Sequence, residues 1–441
     1  MGLKDFFRNG VHPAEMKDLT ASSPIRRMPF PEEVILPVRQ HIGAPAKLLV
    51  KKGDYVQRGE TLAEAGGFVS APVHASASGT VAKIAKAPHP DGSWSDAIYL
   101  KLDPWSAQAQ QDRIIPPWEN LSKKELVDAI QNAGVVGMGG AAFPTHVKLS
   151  PPEDKKIDVI LLNGCECEPY LTTDHRLMVE YPHRVWTGIQ IMQRCLGVDR
   201  AIIGIERNKP DALRIMRETM PAGMNAEVIG LTVKYPQGAE KMLIKALMDK
   251  EVPEGGLPMD VGIVVQNVAS AASIAEVFET GLPLIERVLT VTGSGLNKPG
   301  NLLVPVGAKL QDVVDACGGF TEDAAELIMG GPMMGTAQAH MDTPVLKGTS
   351  GIVVLNHAEA SPKETMPCIQ CGKCLDACPV FLDPQHLGAL AKNLEYDEMM
   401  NFHLPTCMLC GCCSYACPSG IPLSHLFTLS KVTLRGQGVR V

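Results

Sequence analysis

Eight cysteines near the C-terminus fall into two copies of one spacing: Cys368-x2-Cys371-x2-Cys374-x3-Cys378-Pro379 and Cys407-x2-Cys410-x2-Cys413-x3-Cys417-Pro418. This is the bacterial ferredoxin run, in which thiolates hold [4Fe–4S] clusters. Three cysteines of each run bind one cluster and the fourth crosses to the other. The spacing therefore predicts one cluster on Cys368, Cys371, Cys374 and Cys417 and a second on Cys407, Cys410, Cys413 and Cys378. Each proline turns the chain away after the fourth ligand, since it cannot continue a helix. Paired C-x2-C units also build structural zinc sites. Zinc, however, gives no reason for a third cysteine at x2 and a fourth at x3, each time followed by proline. Cys412 is left over: Cys413 fits the third-ligand spacing, and Cys412 is a bystander in the cluster shell.

A chain of 441 residues has room for about three domains, or more if they are small. The net charge of −7 argues against a nucleic-acid partner. No apolar run is long enough for a transmembrane helix, and Met1–Phe7 lacks the apolar stretch of a signal peptide. Cysteines used as cluster ligands rather than a disulfide framework fit a reducing cytoplasm. Lys431, Arg435 and Arg440 read as a solvated basic tail.

Residues 1–28 form a polar lead segment. Residues 29–103 read as short strands and turns, with turn signals at Lys51–Asp54 and Arg58–Glu60. The stretch Val69–Val81 resembles the hybrid barrel of biotinyl and lipoyl carriers. Its preceding hairpin, Ala65-Gly66-Gly67-Phe68, lacks the modified lysine of those carriers, so docking or covering is the expected role. A linker is expected over 103–120. Ser122 and Glu125 then form a capping box for a helix through Asn132. Ile157–Leu162, Ala201–Ile205, Ala226–Val233 and Val261–Val265 are continuous apolar strands. Helices are expected after the last three, near 210–219, 239–248 and 270–280. Such alternation predicts a parallel α/β sheet over 116–285. Residues 286–356 return to short strands and glycine turns, with a helix over 309–317. The cysteine domain occupies 357–441, with a helical stretch at 384–402 between its runs.

Four loops are candidates for a binding site. Gly137-Met138-Gly139-Gly140-Ala141-Ala142-Phe143-Pro144 contains G-x-G-x-x-A, but a helix precedes it where a dinucleotide fingerprint needs a strand. Its glycines admit close backbone approach to an anionic or planar ligand, and Lys148 is placed to meet a phosphate. A tight helix–helix turn explains the same glycines. Asn163-Gly164-Cys165-Glu166-Cys167-Glu168 follows the first strand, where open α/β sheets collect ligands. Its glutamates suit ribose hydroxyls or plain solvent, and its cysteines read as packed residues. Tyr235, Gly238 and Glu240 mark the loop after the third strand, and Asn267 and Ser270 the loop after the fourth. The latter pair also suits helix capping.

With these motifs in hand, the chain resembles the C subunit of the Rnf electron-transport complex, a family similar to the flavin-bearing NADH-oxidising subunit of respiratory complex I. The resemblance spans nearly the whole chain. It is carried by Gly10-Val11-His12-Pro13, Gln40–Pro45, Phe68–His74 and the Gly139–Thr145 loop, which is similar to a flavin-binding G-G-A-x-F-P-T. The resemblance implies that Gly137, Gly139, Gly140, Ala141, Phe143 and Lys148 bind FMN. It implies that Asn163, Glu166, Glu168 and Asp174 lie by flavin and nicotinamide, that Tyr235, Gly238 and Glu240 contact NADH, and that Asn267 and Ser270 contact flavin. It assigns 286–356 to a β-grasp ligand-binding domain. Two cluster runs, where complex I subunits carry one, favour Rnf.

The expected fold is thus a multidomain α/β chain. It comprises an N-terminal β hybrid barrel, a central parallel α/β flavin/NADH domain, a small β-grasp domain and a C-terminal helical two-cluster ferredoxin-like domain. The expected function is that of a peripheral, NADH-reactive subunit on the cytoplasmic side of a bacterial or archaeal membrane. Its cofactors are FMN, NAD(H) and two [4Fe–4S] clusters. Its partners are the integral and peripheral Rnf subunits and, indirectly, ferredoxin, and the assembly performs ion-translocating ferredoxin:NAD oxidoreduction. Flavin carries the chemistry, so no catalytic side chain is named. The alternatives are an NADH-dependent cobalamin reductase and an electron-wire or scaffold subunit that has lost its nucleotides.

Overall fold

The four apolar runs form one parallel sheet in the order Ala226–Leu231, Ala201–Glu206, Val159–Gly164, Ile263–Asn267. This is seen in a computed structural model that describes residues 6–108, 116–361 and 364–441. Residues 109–115 of the expected linker lie outside it. Strands covered on both faces need apolar side chains at every position. Accordingly Ile160, Leu162, Ile203 and Ile205 pack against the helices Lys123–Asn132, Pro182–Leu196 and Val268–Thr280. The alternate residues Val159, Leu161 and Ile202 meet Leu243, Ile244 and Leu247 of the helix Glu240–Met248. The helices Thr173–Glu180 and Pro182–Leu196 were not expected from the sequence. Pro182–Leu196 crosses Val268–Thr280 at Gly188, where an added Cβ would sit 1.9 Å from the Ala271 carbonyl oxygen.

Chain order and spatial order differ in one place. The chain steps outward through three strands, then returns to lay Ile263–Asn267 beside Val159–Gly164. That reversal leaves a crevice beyond the carboxyl ends of these two strands, the place where open α/β sheets bind ligands.

Residues 29–103 build two small sheets, Glu33–Pro37 with Trp94–Leu102, Gly79–Pro88 and Tyr55–Val56, and Lys47–Leu48 with Thr61–Glu64 and Val73–His74. Val34, Leu36, Leu62, Val81, Ile98 and Leu100 fill the space between them. The hairpin ending at Phe68 is docked, with its carbonyl 3.0 Å from His146 Nε2 on the short helix Thr145–Lys148. Buried Lys347 pins this barrel to the central domain, donating to Pro72 at 2.8 Å and Gly134 at 2.7 Å.

Beyond the α/β sheet, a six-stranded sheet runs in the order Ile25–Arg27, Gly300–Pro305, Glu286–Thr292, Gly351–Asn356, Ala324–Met329, Thr336–Ala337. Its first strand comes from the lead segment, which the sequence presented as merely polar; Ile25–Arg27 pairs in parallel with Asn301–Leu303.

The two cysteine runs have one backbone. Gln370 and Leu409 both take φ near +57° (56° and 57°), as do Gly372 and Gly411 at 73° and 79°. The helices Lys373–Ala377 and Cys412–Ala416 follow at the same offset, and Pro384–Lys392 and Leu423–Gly436 later match again. By that superposition Cys413 occupies the place of Cys374, and Cys412 the place of Lys373. Lys431 is not part of a solvated tail. It is buried, and its ammonium donates to the carbonyls of Cys407 at 2.8 Å and Pro405 at 3.2 Å.

Candidate functional site

The crevice beside the strand reversal opens into a cleft of about 1390 Å³, mouth included. Gly137, Gly139, Gly140, Ala141, Phe143 and Lys148 line it from one side. Asn163, Glu166, Glu168 and Asp174 line it from the acidic loop and the helix that follows, and Tyr235, Gly238, Glu240 and Asn267 complete it. Ser270 is brought near but not into the cleft. Its buried hydroxyl accepts the Met138 amide at 2.9 Å, so it props the glycine loop from behind.

The glycine loop is neither a Rossmann turn nor a plain helix–helix turn. Gly137 donates to the Phe143 carbonyl at 2.8 Å and Val136 bridges Pro144, so the loop folds back on its own stem. Gly140 has φ +138°, and a Cβ built on it would meet nothing within 4 Å. Its backbone is therefore bare, which a side chain would prevent. Arg287, buried in the neighbouring sheet, anchors the loop by donating to Met138 O at 2.9 Å and to Thr349 O at 2.9 Å. The sequence held no signal for Arg287, because its partners are carbonyl groups far along the chain.

In the acidic loop the two glutamates have different employment. The Glu166 carboxylate accepts the amides of Asp174 at 2.6 Å and His175 at 3.2 Å, capping the helix Thr173–Glu180. Glu168 accepts the Met333 amide at 3.1 Å, while its Oε1 is buried and unpartnered. Burial pushes the Glu168 carboxyl up to about 7, against the opposing pull of the Met333 and Met334 amides. Asp174 is also pushed up, first by burial and then by the Glu166 charge; its carboxylate accepts from Asn267 at 2.6 Å. Asn267 caps its own helix through Ala269, and Asn163 donates to Gly238 O at 2.7 Å. Lys148 is held by Glu240 at 2.7 Å and by Val265 O at 3.1 Å, so cation and anion reach the cleft as a pair. Cys165 is packed away, whereas Cys167 lines the cleft and its sulfur accepts the Gly238 amide at 3.2 Å. A bare glycine backbone, an unpaired buried carboxylate oxygen and a set of backbone amides suit a planar ring with a polar edge and a nucleotide tail.

The cysteines ring two cavities. Cys368, Cys371, Cys374 and Cys417 line one, and Cys378, Cys407, Cys410 and Cys413 line the other with Cys412 also on its wall, so the fourth cysteine of each run crosses over. Among the described residues no group of three or more His, Cys, Asp or Glu side chains is placed to hold a single metal ion. Backbone amides point at sulfur, Gln370 to Cys368 at 3.4 Å and Leu382 to Cys378 at 3.3 Å, bonds of the kind that tune cluster potential. Cys368 and Cys371 are exposed; Cys378, Cys410 and Cys413 are buried. Of the two cavities, the second adjoins the cleft, sharing Met408 with it. There the Tyr235 hydroxyl donates to the Cys410 carbonyl at 2.8 Å.

Comparison with known proteins matches four segments of the chain. Residues 5–104 match the RnfC barrel sandwich hybrid domain and 130–276 the Nuo51 FMN-binding domain. Residues 288–337 match the SLBB domain and 367–421 the 4Fe-4S dicluster domain. The C subunit of a proton-translocating ferredoxin:NAD(+) oxidoreductase complex from Clostridium ljungdahlii is 48% identical over 392 residues, which is 89% of this chain and 86% of that one. The chain belongs to the family of Rnf C subunits. The C subunit of the Na(+)-translocating ferredoxin:NAD(+) oxidoreductase complex of Acetobacterium woodii is 43% identical over 89% of this chain and 88% of its own. The C subunit of the ion-translocating oxidoreductase complex of Rhodobacter capsulatus is 41% identical over 87% of this chain and 74% of its own. An NAD+-reducing [NiFe]-hydrogenase in the H2-reduced state has a similar fold, with a TM-score of 0.51, 19% identity and coverage of 73% of this chain and 62% of that one.

Membership among the Rnf C subunits favours [4Fe–4S] clusters over zinc, and the Rnf reading over the cobalamin-reductase and scaffold alternatives. FMN and the clusters are the family's cofactors. An Rnf C subunit works in a membrane complex, and among the described residues of this chain no helix is long and apolar enough to cross a membrane.

Proposed function

We propose that this chain is the NADH-reactive subunit of an ion-translocating ferredoxin:NAD oxidoreductase, seated peripherally on the cytoplasmic side of the membrane against integral Rnf subunits. Five units carry the work: the lead segment 1–28, the barrel 29–103, the flavin and NADH domain 116–285, the β-grasp domain 286–356 and the two-cluster domain 357–441. FMN, when bound, supplies the conversion between two-electron hydride chemistry and the one-electron chemistry of iron–sulfur centres.

The residues of the chain bind and orient. Gly137, Gly139, Gly140, Ala141 and Phe143 offer backbone to the flavin, with Ser270 and Arg287 holding their loop in shape. Asn163, Asp174 and Asn267 are hydrogen-bonded around the strand ends beneath it. Lys148, held by Glu240, meets the flavin by charge, and Glu168, with one oxygen unpaired, and Glu240 receive the hydroxyls of NADH. Glu166 sets the helix that carries Asp174, and Tyr235 and Gly238 form the wall toward the clusters. Cys378, Cys407, Cys410 and Cys413 hold the nearer cluster, and Cys368, Cys371, Cys374 and Cys417 the outer one.

The observation that carries this reading is the shared wall: one side of Tyr235 faces the nucleotide cleft and its hydroxyl holds a cluster-ligand peptide. An anaerobic visible spectrum of the FMN-supplemented protein, before and after NADH, tests it alongside iron and flavin counts. About eight irons per chain with flavin bleaching followed by cluster reduction is expected. Full iron with no response to NADH in flavin-loaded protein would withdraw the reading.

A further inference from the structure

We propose that Lys17 is a positioning residue of the nucleotide site, setting the acidic loop so that Glu168 meets NADH. The proposal rests on the function given above and extends it to the lead segment, which no cofactor contact would otherwise involve. Lys17 is buried, 8% exposed, and comes from outside the α/β domain. Its ammonium donates to the carbonyls of Glu166 and Glu168, each at 2.9 Å, and to the carbonyl of Leu171. The Glu15 carbonyl meanwhile accepts the Tyr170 amide at 2.8 Å, so two residues of the strap clasp one loop.

The chemistry of these contacts is unusual for a residue that only packs. Burying an ammonium is costly unless it is fully hydrogen-bonded, and an apolar chain of the same length fills the volume without that cost. None of the three bonds goes to a carboxylate; the charge is directed at peptide carbonyls. Those carbonyls lie on both sides of Glu168 in sequence, so the ammonium fixes the peptide planes that bracket it. Glu168 is also the residue whose second carboxylate oxygen is buried and unpaired beside the cleft. At the start of the loop Lys209 holds the Cys165 carbonyl at 2.7 Å. The loop is thus suspended between two buried lysines, and the geometry points to Lys17 as the one that governs the carboxylate facing the ligand. Burial lowers the Lys17 ammonium to about 8, so it still carries its charge at neutral pH.

The test uses the full chain with FMN and clusters in place. Lys17→Met is expected to raise KM for NADH by roughly tenfold to a hundredfold, the scale of loss when a binding group is misplaced by about an ångström. Iron and flavin content stay at the parent level, and the amides of residues 165–172 exchange faster with deuterium. Lys17→Arg, which keeps the charge and the donors, recovers most of the NADH affinity. Unchanged KM together with unchanged exchange in Lys17→Met overturns the proposal. It is also overturned if Lys17→Met loses flavin and iron together and Lys17→Arg fares no better, because Lys17 is then a folding residue alone. If the parent protein shows no flavin reduction by NADH, the functional reading fails, and the exchange of residues 165–172 still decides whether Lys17 sets the loop.

Discussion

The Tyr235 hydroxyl and the Cys410 carbonyl are 2.8 Å apart, and this bond ties the wall of the cleft to the cluster domain. Tyr235 is 1% exposed and also exchanges backbone hydrogen bonds with Val11 of the lead segment, both at 2.9 Å. It is a residue of three units at once. Tyr235→Phe keeps the ring and leaves the Cys410 carbonyl without its partner, at a cost of about 1–3 kcal/mol. The expected result is a lower denaturation midpoint and slower cluster reduction after NADH, with the initial flavin bleaching little changed. Stopped-flow spectra at the flavin and cluster wavelengths check it.

Glu168 makes stability depend on pH. Its carboxyl rises from 4.5 to about 7 in the fold. Between those values the folded chain binds more protons than the unfolded chain, so stability falls as pH climbs through this window and levels off above it. Glu168→Gln removes that slope. The difference between parent and variant is expected to change by on the order of 2 kcal/mol between about pH 5 and about pH 8, measured by denaturant titration of the flavin-free protein. Glu168→Ala in loaded protein is expected to raise the NADH requirement while iron content holds.

Cys374, which fits the ligand spacing, and Cys412, which yields its spacing to Cys413, separate cleanly. Cys374→Ser is expected to remove the outer cluster, taking iron from about eight to about four per chain, and to leave flavin reduction by NADH intact. Cys412→Ser is expected to keep about eight irons, because Cys412 stands where the first run has Lys373. Iron analysis and electron paramagnetic resonance of the reduced proteins distinguish them.

Lys431 places a cation on the Cys407 peptide. Lys431→Met removes positive charge beside the inner cluster and is expected to shift its midpoint potential downward, on the order of tens of millivolts. A redox titration of the inner cluster's signal reads this directly, and an unchanged potential would deny Lys431 any electrostatic role.

Gly188 tests the packing that supports the cleft floor. An added methyl group lands 1.9 Å from the Ala271 carbonyl oxygen, where helix backbone rather than a flexible side chain must give way. Gly188→Ala is expected to destabilise the protein by about 1–3 kcal/mol. The denaturation midpoint of the apoprotein is the measurement.

What the sequence displayed well was periodic or spaced. Thiolate spacing is chemistry written in one dimension, and continuous apolar runs such as Ala201–Ile205 announce a strand covered on both faces. The strand ends then marked the cleft, and Asn163, Glu168, Gly238 and Asn267 all line it. Groups whose partners are backbone carbonyls were not displayed. Lys17, Lys209, Arg287 and Lys431 each bury a cation against peptide oxygens, and a peptide oxygen has no letter in a sequence. Ser270 was placed beside the ligand by its motif, yet its hydroxyl holds the Met138 amide, a distinction that only three dimensions make. The strand Ile25–Arg27 was hidden because its partner lies some 276 residues later, at Asn301.

The lead segment ties distant parts of the chain together. Its strand pairs with Gly300–Pro305, and its Gly10 amide and Asn9 side chain donate to the carbonyls of Ala377 and Cys378. The partners of this segment therefore lie far along the chain, in the six-stranded sheet and at the first cysteine run. Its contacts with Ala377 and Cys378 complete the anchorage of the strap. The strap that clasps the acidic loop through Lys17 and Glu15 is thus itself tied to the first cysteine run, so the cluster domain bears on the shape of the cleft.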